Sequence, residues 1–426
     1  MNAYESEALR ERLIKSGYTE EKKNEADCYI VNTCAVTHMA EKKDMKMVRD
    51  IQRDHPNSSI FIMGCSSQIH KEMYLEIKNV KAVYGTFHKD ELAECILKGN
   101  KEADQVNNNF RSFTFDDLSI EKGEHEAKSY IKVQDGCDNF CSYCIVPYTR
   151  GISRSRNHYS ILEEMKRLID NDVKEIIIGG IDVGSYKDPH EDNYRLKDLL
   201  KDMVEYKTDK KFRIRVSSIE CSQIDDDYIN LFRDYPDRLC PHFHIPLQSG
   251  CEKILRKMNR KYKLEDFYNM TLKIKKEVKN VALSTDVIFG FPTETEEDFN
   301  ETYEFIKKVG FMRIHAFPYS EREGTVASRI KEGIVPVNIR KERTNKVIEL
   351  GKELEKEFLD SLKGETLQIL VESKNKDGLY HGYSENYLEF DIKSDANIIN
   401  SFKELKLWLK FIARNDIIFL AVNLGL

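Results

Sequence analysis

The chain has 426 residues, 40% hydrophobic and 33% charged, with 67 basic against 73 acidic residues and a formal net charge of −6. This length accommodates two or three domains with cores of their own, and the charge excludes a general polycation, so nucleic-acid binding has to come from a local basic face. No apolar run approaches the length that spans a bilayer, and the opening Met1-Asn2-Ala3-Tyr4-Glu5-Ser6-Glu7 is too acidic for a signal peptide, which predicts a cytoplasmic protein without a membrane partner. In a reducing compartment the ten cysteines point to metal ligation and buried thiols, not disulfides.

Leu9, Leu13 and Ile14 recur at helical spacing before Gly17 and predict a first helix. Cys28-Tyr29-Ile30-Val31 reads as a buried strand, a Lys- and Asp-rich stretch over 40–54 as a helix, Ile60-Phe61-Ile62-Met63 as a second strand, and Val80-Lys81-Ala82-Val83 as a third. This alternation predicts a parallel sheet covered by helices. Cys34 and Cys65 each fall just past a strand, at the carboxyl edge where open parallel sheets bind ligands. Composition alone favours half-buried loop thiols, a preference that their strand-end positions reverse. Residues 99–128, polar with Phe110, Phe113 and Phe115 interleaved, read as a linker with docking contacts.

From Tyr130 onward six strand candidates are each followed by a helix-length amphipathic stretch: 130–133, 175–178, 212–216, 242–245, 282–288 and 312–317. Six such units predict an open, partial (β/α)6 barrel. The loop after its first strand carries Cys137, Cys141 and Cys144 in the spacing C-x3-C-x2-C. Three thiolates hold three irons of a [4Fe–4S] cube and leave the fourth open to S-adenosylmethionine (SAM), which is then cleaved by one electron to a radical. Zinc is the alternative, but a structural zinc site needs four ligands and no second cysteine or histidine pair follows at knuckle spacing. Gly179-Gly180, Ser217-Ser218, Gln248-Ser249-Gly250 and Gly290-Phe291-Pro292 follow later strands onto the same rim. Arg150-Gly151-Ile152-Ser153-Arg154-Ser155-Arg156 reads either as a phosphate contact or as a solvated loop. A charged helix over 338–362 precedes five short runs, 366–372, 379–383, 387–391, 405–411 and 417–422, which predict a small antiparallel barrel.

Several ordered motifs resemble the radical-SAM methylthiotransferases, and among them the type that acts on threonylcarbamoyladenosine in tRNA. They are Asn2 through Ala8, Ile30 through Cys34, Gly64 through Gln68, Tyr130 through Arg156, Ser217 through Glu220, His244 through Gly250, Thr285 through Pro292 and Phe317 through Ser320. The resemblance implies three domains: an N-terminal α/β domain at 1–115, a radical-SAM core at 126–360 and a TRAM-like RNA-binding barrel at 363–426. It implies that Cys137, Cys141 and Cys144 hold the SAM-cleaving cluster, with Tyr143, Gly179, Gly180 and Gln248 around SAM and Arg154 and Arg156 on the substrate. Cys34 and Cys65 with a third cysteine would hold an auxiliary [4Fe–4S] cluster that supplies or carries sulfur.

The family's third cysteine stands three residues before the position of Asn2, upstream of Met1, together with a leading strand. Either Met1 is an internal methionine of a longer chain, or the site has two cysteines and another ligand. The activity implied is replacement of C2–H by C–SCH3 on the modified adenine beside the anticodon. Its implied partners are a tRNA anticodon loop and a reductase such as flavodoxin or ferredoxin, with a monomeric enzyme and the sulfur source left open. Sister activities act on isopentenyladenosine in tRNA or on a ribosomal-protein aspartate. A different class altogether is a non-catalytic iron–sulfur or zinc RNA-binding protein.

Overall fold

The structure, a computed structural model, describes residues 2–21, 26–98, 106, 114–121 and 127–407, and the backbone of 412–414 and 417–419. The apolar runs of the first hundred residues form strands Cys28–Thr33 (β1), Ser59–Gly64 (β2) and Val80–Val83 (β3), parallel and in the order β1-β2-β3. Such strands are apolar on both faces because both are covered. Leu9 and Leu13 of helix Asn2–Lys15 pack on Phe61, Met63 and Tyr84, while Val48 and Tyr74 cover Val31, Ile60 and Ile62 on the other side. Helix His38–Asp54 starts two residues before the predicted position because the Thr37 side chain accepts from the Ala40 N–H and caps it. The predicted linker falls largely outside the described residues.

Six parallel strands follow. Lys128–Lys132 (β4), Glu175–Gly179 (β5) and Arg213–Val216 (β6) pair in the order β4-β5-β6, and His242–His244 (β7), Ala282–Phe289 (β8) and Arg313–Pro318 (β9) in the order β7-β8-β9. Parallel bridges Ile214↔Leu239 and Ser218↔His244 join the two groups into one series, with β4 and β9 at its ends. Ile176, Ile178, Ile214, Val216, Leu283 and Val287 face the helices in one large core. The opposite face is polar, with Glu175 and the arginines Arg213 and Arg215 buried together. No helix among the described residues is long and apolar enough to cross a membrane.

Helix Val337–Ser361 leads to Thr366–Lys374 (β10), Tyr380–Ser384 (β11), Glu389–Ile392 (β12), Ser401–Lys406 (β13), Ile412–Arg414 (β14) and Ile417–Phe419 (β15). These form one sheet ordered β13-β10-β11-β12-β15-β14, antiparallel except for the β12–β15 pair. The sequence expectation was five strands. The strand predicted at 405–411 instead begins at Ser401, whose neighbours Lys403 and Lys406 obscure its pattern, and its predicted end lies outside the described residues, as does that of 417–422.

This sheet docks on the amino ends of the core strands. Arg213 donates to the carbonyls of Gln368 and Tyr383 at 2.9 and 3.0 Å, and Arg215 to that of Glu385 at 3.0 Å. The Tyr387 ring stacks on His242 with centroids 4.9 Å apart, and the Arg215 guanidinium lies 4.6 Å from its centre.

Glu175 holds Arg213 at 2.6 Å and Arg215 at 2.7 Å, all three buried. Burial alone raises the Glu175 carboxyl, but Arg215 and Arg213 outweigh it and hold it well below the ordinary carboxylate range. Its contribution is therefore present above the unfolded carboxylate's pKa and is lost as pH falls toward the folded value. Glu175→Gln is expected to cost about 3–5 kcal/mol in urea unfolding and to flatten the acid limb of the stability profile.

Candidate active site

The cysteine loop leaves β4 at the carboxyl end of the core strands, opposite the docked sheet. It turns at Gly136, whose φ is +72° and where a Cβ would lie 2.0 Å from the Ile152 carbonyl oxygen, so no side chain fits. The Cys137 N–H donates to Gly151 O at 3.1 Å and the Cys144 N–H to Cys141 O at 2.9 Å. Ser142 fastens the middle of the loop, donating from its hydroxyl to Lys257 O at 2.7 Å and accepting at its carbonyl from Ala327 N–H at 2.7 Å.

Cys137, Cys141 and Cys144 carry free thiols, and each lies within electrostatic reach of the others. Burial pushes the Cys137 and Cys144 thiols up to about 12, so thiolates here need a cationic partner. Around the sulfurs, Arg260 lies with Nη1 3.5 Å from Cys141 Sγ, and the Asn139 N–H points at Cys137 Sγ from 3.5 Å. The Arg260 side chain is buried and paired with Glu220.

Cys34 and Cys65 come together because the ends of β1 and β2 press against each other. Gly64 has φ +113°, and a Cβ there would lie 2.4 Å from Thr33 O. Cys34 donates its N–H to Asp44 Oδ2 at 2.6 Å and is within electrostatic reach of Cys65, which opens helix Cys65–Ile69. Burial raises the Cys34 thiol. Cys65 packs with Ala35 on Ile145, the residue after Cys144, so both cysteine sets border one seam. A cavity of about 210 Å³ opens on that seam, lined by Val36 and Thr37 from the β1 loop, Tyr143 and Cys144 from the cluster loop, and Gln248, Asp286, Phe317 and Tyr319 from the strand ends. The buried Tyr319 hydroxyl has no hydrogen-bond partner.

Other sequence candidates occupy different positions. Gln248 borders the cavity with φ +65°, held by its N–H to Asp286 O at 2.8 Å. Gly179 ends β5, and the space beside Gly180 is taken by Gln134, whose Oε1 accepts the N–H groups of Ile181 and Asp182 at 3.0 and 2.8 Å. Arg156 is 2% exposed and pairs with Glu164 and with Asp117 at 2.5 Å. Arg154 turns back onto Asp135 at 2.9 Å and over the Phe87 ring at 4.5 Å. Both arginines, read from sequence as substrate contacts, thus face protein.

Sequence reasoning missed the buried charge cluster behind the seam. Glu5 of the first helix meets Arg150 and Lys132 at 2.9 Å and Lys89 at 3.4 Å, and Asp135 meets Lys132 at 2.7 Å. Arg150 is also within electrostatic reach of Cys65. A paired, buried charge has no signature in composition or periodicity. The only cue was an arginine closing the cluster loop.

Residues 131–306 match the Radical SAM superfamily, and residues 1–85 match a second family described as "Uncharacterized protein family UPF0004". The chain is 34% identical over 415 residues to the threonylcarbamoyladenosine tRNA methylthiotransferase MtaB of Bacillus subtilis, covering 96% of this chain and 91% of that protein. It is also 34% identical over 419 residues to the tRNA-2-methylthio-N(6)-dimethylallyladenosine synthase of Acetivibrio thermocellus, covering 96% of this chain and 86% of that protein. Among solved structures, the radical SAM methyltransferase TsrM of Kitasatospora setae shares the fold with a TM-score of 0.57 at 15% identity, over 74% of this chain and 69% of that one. A three-cysteine loop at the carboxyl rim of a parallel α/β core, joined to relatives matched along nearly their whole length, makes the chain a member of the radical-SAM methylthiotransferase family, whose chemistry uses SAM and a [4Fe–4S] cluster.

Proposed function

We propose that this enzyme methylthiolates C2 of N6-threonylcarbamoyladenosine beside the anticodon of a tRNA. The observation that carries the reading is the cavity lined by Cys144 and by Val36 and Thr37 of the loop after Cys34, on the seam where Cys65 packs against Ile145. Cys137, Cys141 and Cys144 hold the SAM-binding cluster, and Cys34 and Cys65, with one further ligand, hold an auxiliary [4Fe–4S] cluster. When bound, cluster and SAM supply the electron and the 5′-deoxyadenosyl radical that removes a hydrogen no protein base can take as a proton. The chain's own residues supply position and dryness. Tyr143 and Gln248 border the SAM end of the cavity, Gly179 and Gly180 let the Gln134 clasp close the rim behind it, and Val36 and Phe317 shield it with apolar surface. Tyr319 offers a hydroxyl donor to the incoming ligand.

In this reading 1–115 is the auxiliary-cluster domain, 126–360 a partial (β/α)6 barrel and 363–426 a TRAM-like RNA-binding barrel. Arg154 and Arg156 act as ties between the first two and not as RNA contacts. The anticodon loop is engaged as an unstacked base on the rim. The enzyme is a cytoplasmic monomer reduced by a flavodoxin or ferredoxin.

The test is liquid chromatography and mass spectrometry of nucleosides after the reconstituted enzyme meets tRNA bearing either precursor. Methylthiolated threonylcarbamoyladenosine is expected. The methylthiolated dimethylallyl product alone would contradict the substrate reading. In the same assay Cys34→Ala and Cys65→Ala are expected to keep 5′-deoxyadenosine formation and to lose the methylthio product.

A further inference from the structure

Beside the cavity, three core strands present a second set of ligating side chains that belongs to neither cysteine set. His244 of β7, Asp286 of β8 and His315 of β9 each offer one ligand atom within 4.8 Å of the other two. His244 Nε2 lies 3.2 Å from Asp286 Oδ2, Asp286 and His315 are direct register partners, and the two imidazole centres are 5.7 Å apart. The set is braced from behind. Ser284 Oγ is 2.9 Å from His244 Nδ1 and 2.8 Å from His242 Nε2, which fixes the ring that carries the ligating nitrogen. Asp286 lines the cavity and His315 is exposed, so coordination positions remain open on the cavity side.

Two imidazoles and one carboxylate on one side of an otherwise open position are the donor set of a divalent first-row ion. The charge at the cavity edge points the same way. A threonylcarbamoyl side chain ends in a carboxylate, which Asp286 would repel. A dipositive ion on these residues reverses the sign and offers free positions to oxygen ligands. An isopentenyl side chain is hydrocarbon and gains nothing from such an ion.

We propose that His244, Asp286 and His315 bind a divalent metal ion that receives the carboxylate of the substrate's N6 side chain. The recognition half rests on the threonylcarbamoyl reading above; the metal site itself does not. On binding, His244 keeps its proton on Nδ1, donated to Ser284 Oγ, and Nε2 takes the ion. Any proton displaced from Nε2 leaves to solvent.

The probe is Mn2+, a hard ion that thiolates do not favour, titrated into holoprotein with its clusters in place and followed by electron paramagnetic resonance. Uptake of one equivalent is expected, lost in His315→Ala and in Asp286→Asn, and about tenfold weaker in Ser284→Ala. Unchanged cluster absorbance in each variant shows that the fold survives. By linkage, free threonylcarbamoyladenosine is expected to tighten Mn2+ binding and isopentenyladenosine to leave it unchanged. No uptake, or uptake indifferent to His315 and Asp286, overturns the metal site whatever product the tRNA assay gives. Uptake indifferent to threonylcarbamoyladenosine overturns the recognition half. Failure of the substrate reading shows separately, as the wrong methylthionucleoside in the tRNA assay.

Discussion

Alanine at Cys137, Cys141 or Cys144 is expected to abolish SAM cleavage, not merely slow it. Each substitution would leave two sulfurs where the proposed cluster relies on three. The neighbouring groups are the Arg260 guanidinium and the Asn139 N–H, which only donate, and the Asp182 carboxylate, whose Oδ2 lies 3.9 Å from Cys137 Sγ but is held by the side chain of Asn139 at 3.1 Å, with Oδ1 held by Gln223 at 2.8 Å. The loop itself should survive, because Gly136, Ser142 and the Cys144 turn are held by hydrogen bonds independent of the thiols. The expected result is loss of iron and of dithionite-driven 5′-deoxyadenosine formation with an unchanged circular dichroism spectrum. Residual cleavage near the parent rate in any of the three variants would remove that cysteine from the ligand set.

The second large effect is expected at Glu5, far from the chemistry in sequence. Its carboxylate is fully buried among Arg150, Lys132 and Lys89. Burial raises its carboxyl, and Arg150, Lys132 and Lys89 together hold it well below the ordinary range. Four cations, with Arg154, face three carboxylates there, Glu5, Asp135 and Asp116, so Glu5→Gln leaves four against two. Breaking a buried network from one side costs about 3–5 kcal/mol. Because Glu5 sits on the first helix and Arg150 on the cluster loop, the loss falls on the contact between the two cysteine sets. Methylthiolation is expected to drop more than SAM cleavage. The Glu5 contribution is present above the unfolded carboxylate's pKa and vanishes as pH falls, so the variant should differ most from the parent near neutrality and least in acid.

The legible parts of this molecule were those with a local signature. The apolar runs at Ile60–Met63 and Glu175–Ile178 mark strands because parallel strands are covered on both faces, and the positions of Cys34, Cys65 and Cys137 follow from the rule that loops after parallel strands share one edge. Burial of charge was not legible. Arg156 looks identical in sequence whether it reaches for phosphate or pairs with Glu164 under the first helix, and only the fold brings Tyr4, Asp117 and Glu164 around it. The resemblance put Gly180 beside SAM, but the group packed against it is Gln134, supplied from just past the end of β4. Docking of the last sheet was hidden for the same reason. Its contact residue Tyr387 has φ +70° in a tight turn and meets Arg215, far away in sequence.

The central claim is an iron left free of amino-acid ligands at the Cys137, Cys141 and Cys144 loop. Mössbauer spectroscopy of anaerobically reconstituted protein, with and without SAM, tests it most directly. The expected result is one iron site of a [4Fe–4S] cluster whose parameters change when SAM is added, with 5′-deoxyadenosine accumulating on reduction. A tetrahedral zinc held by the three cysteines and one further side chain, with SAM left intact, would contradict it.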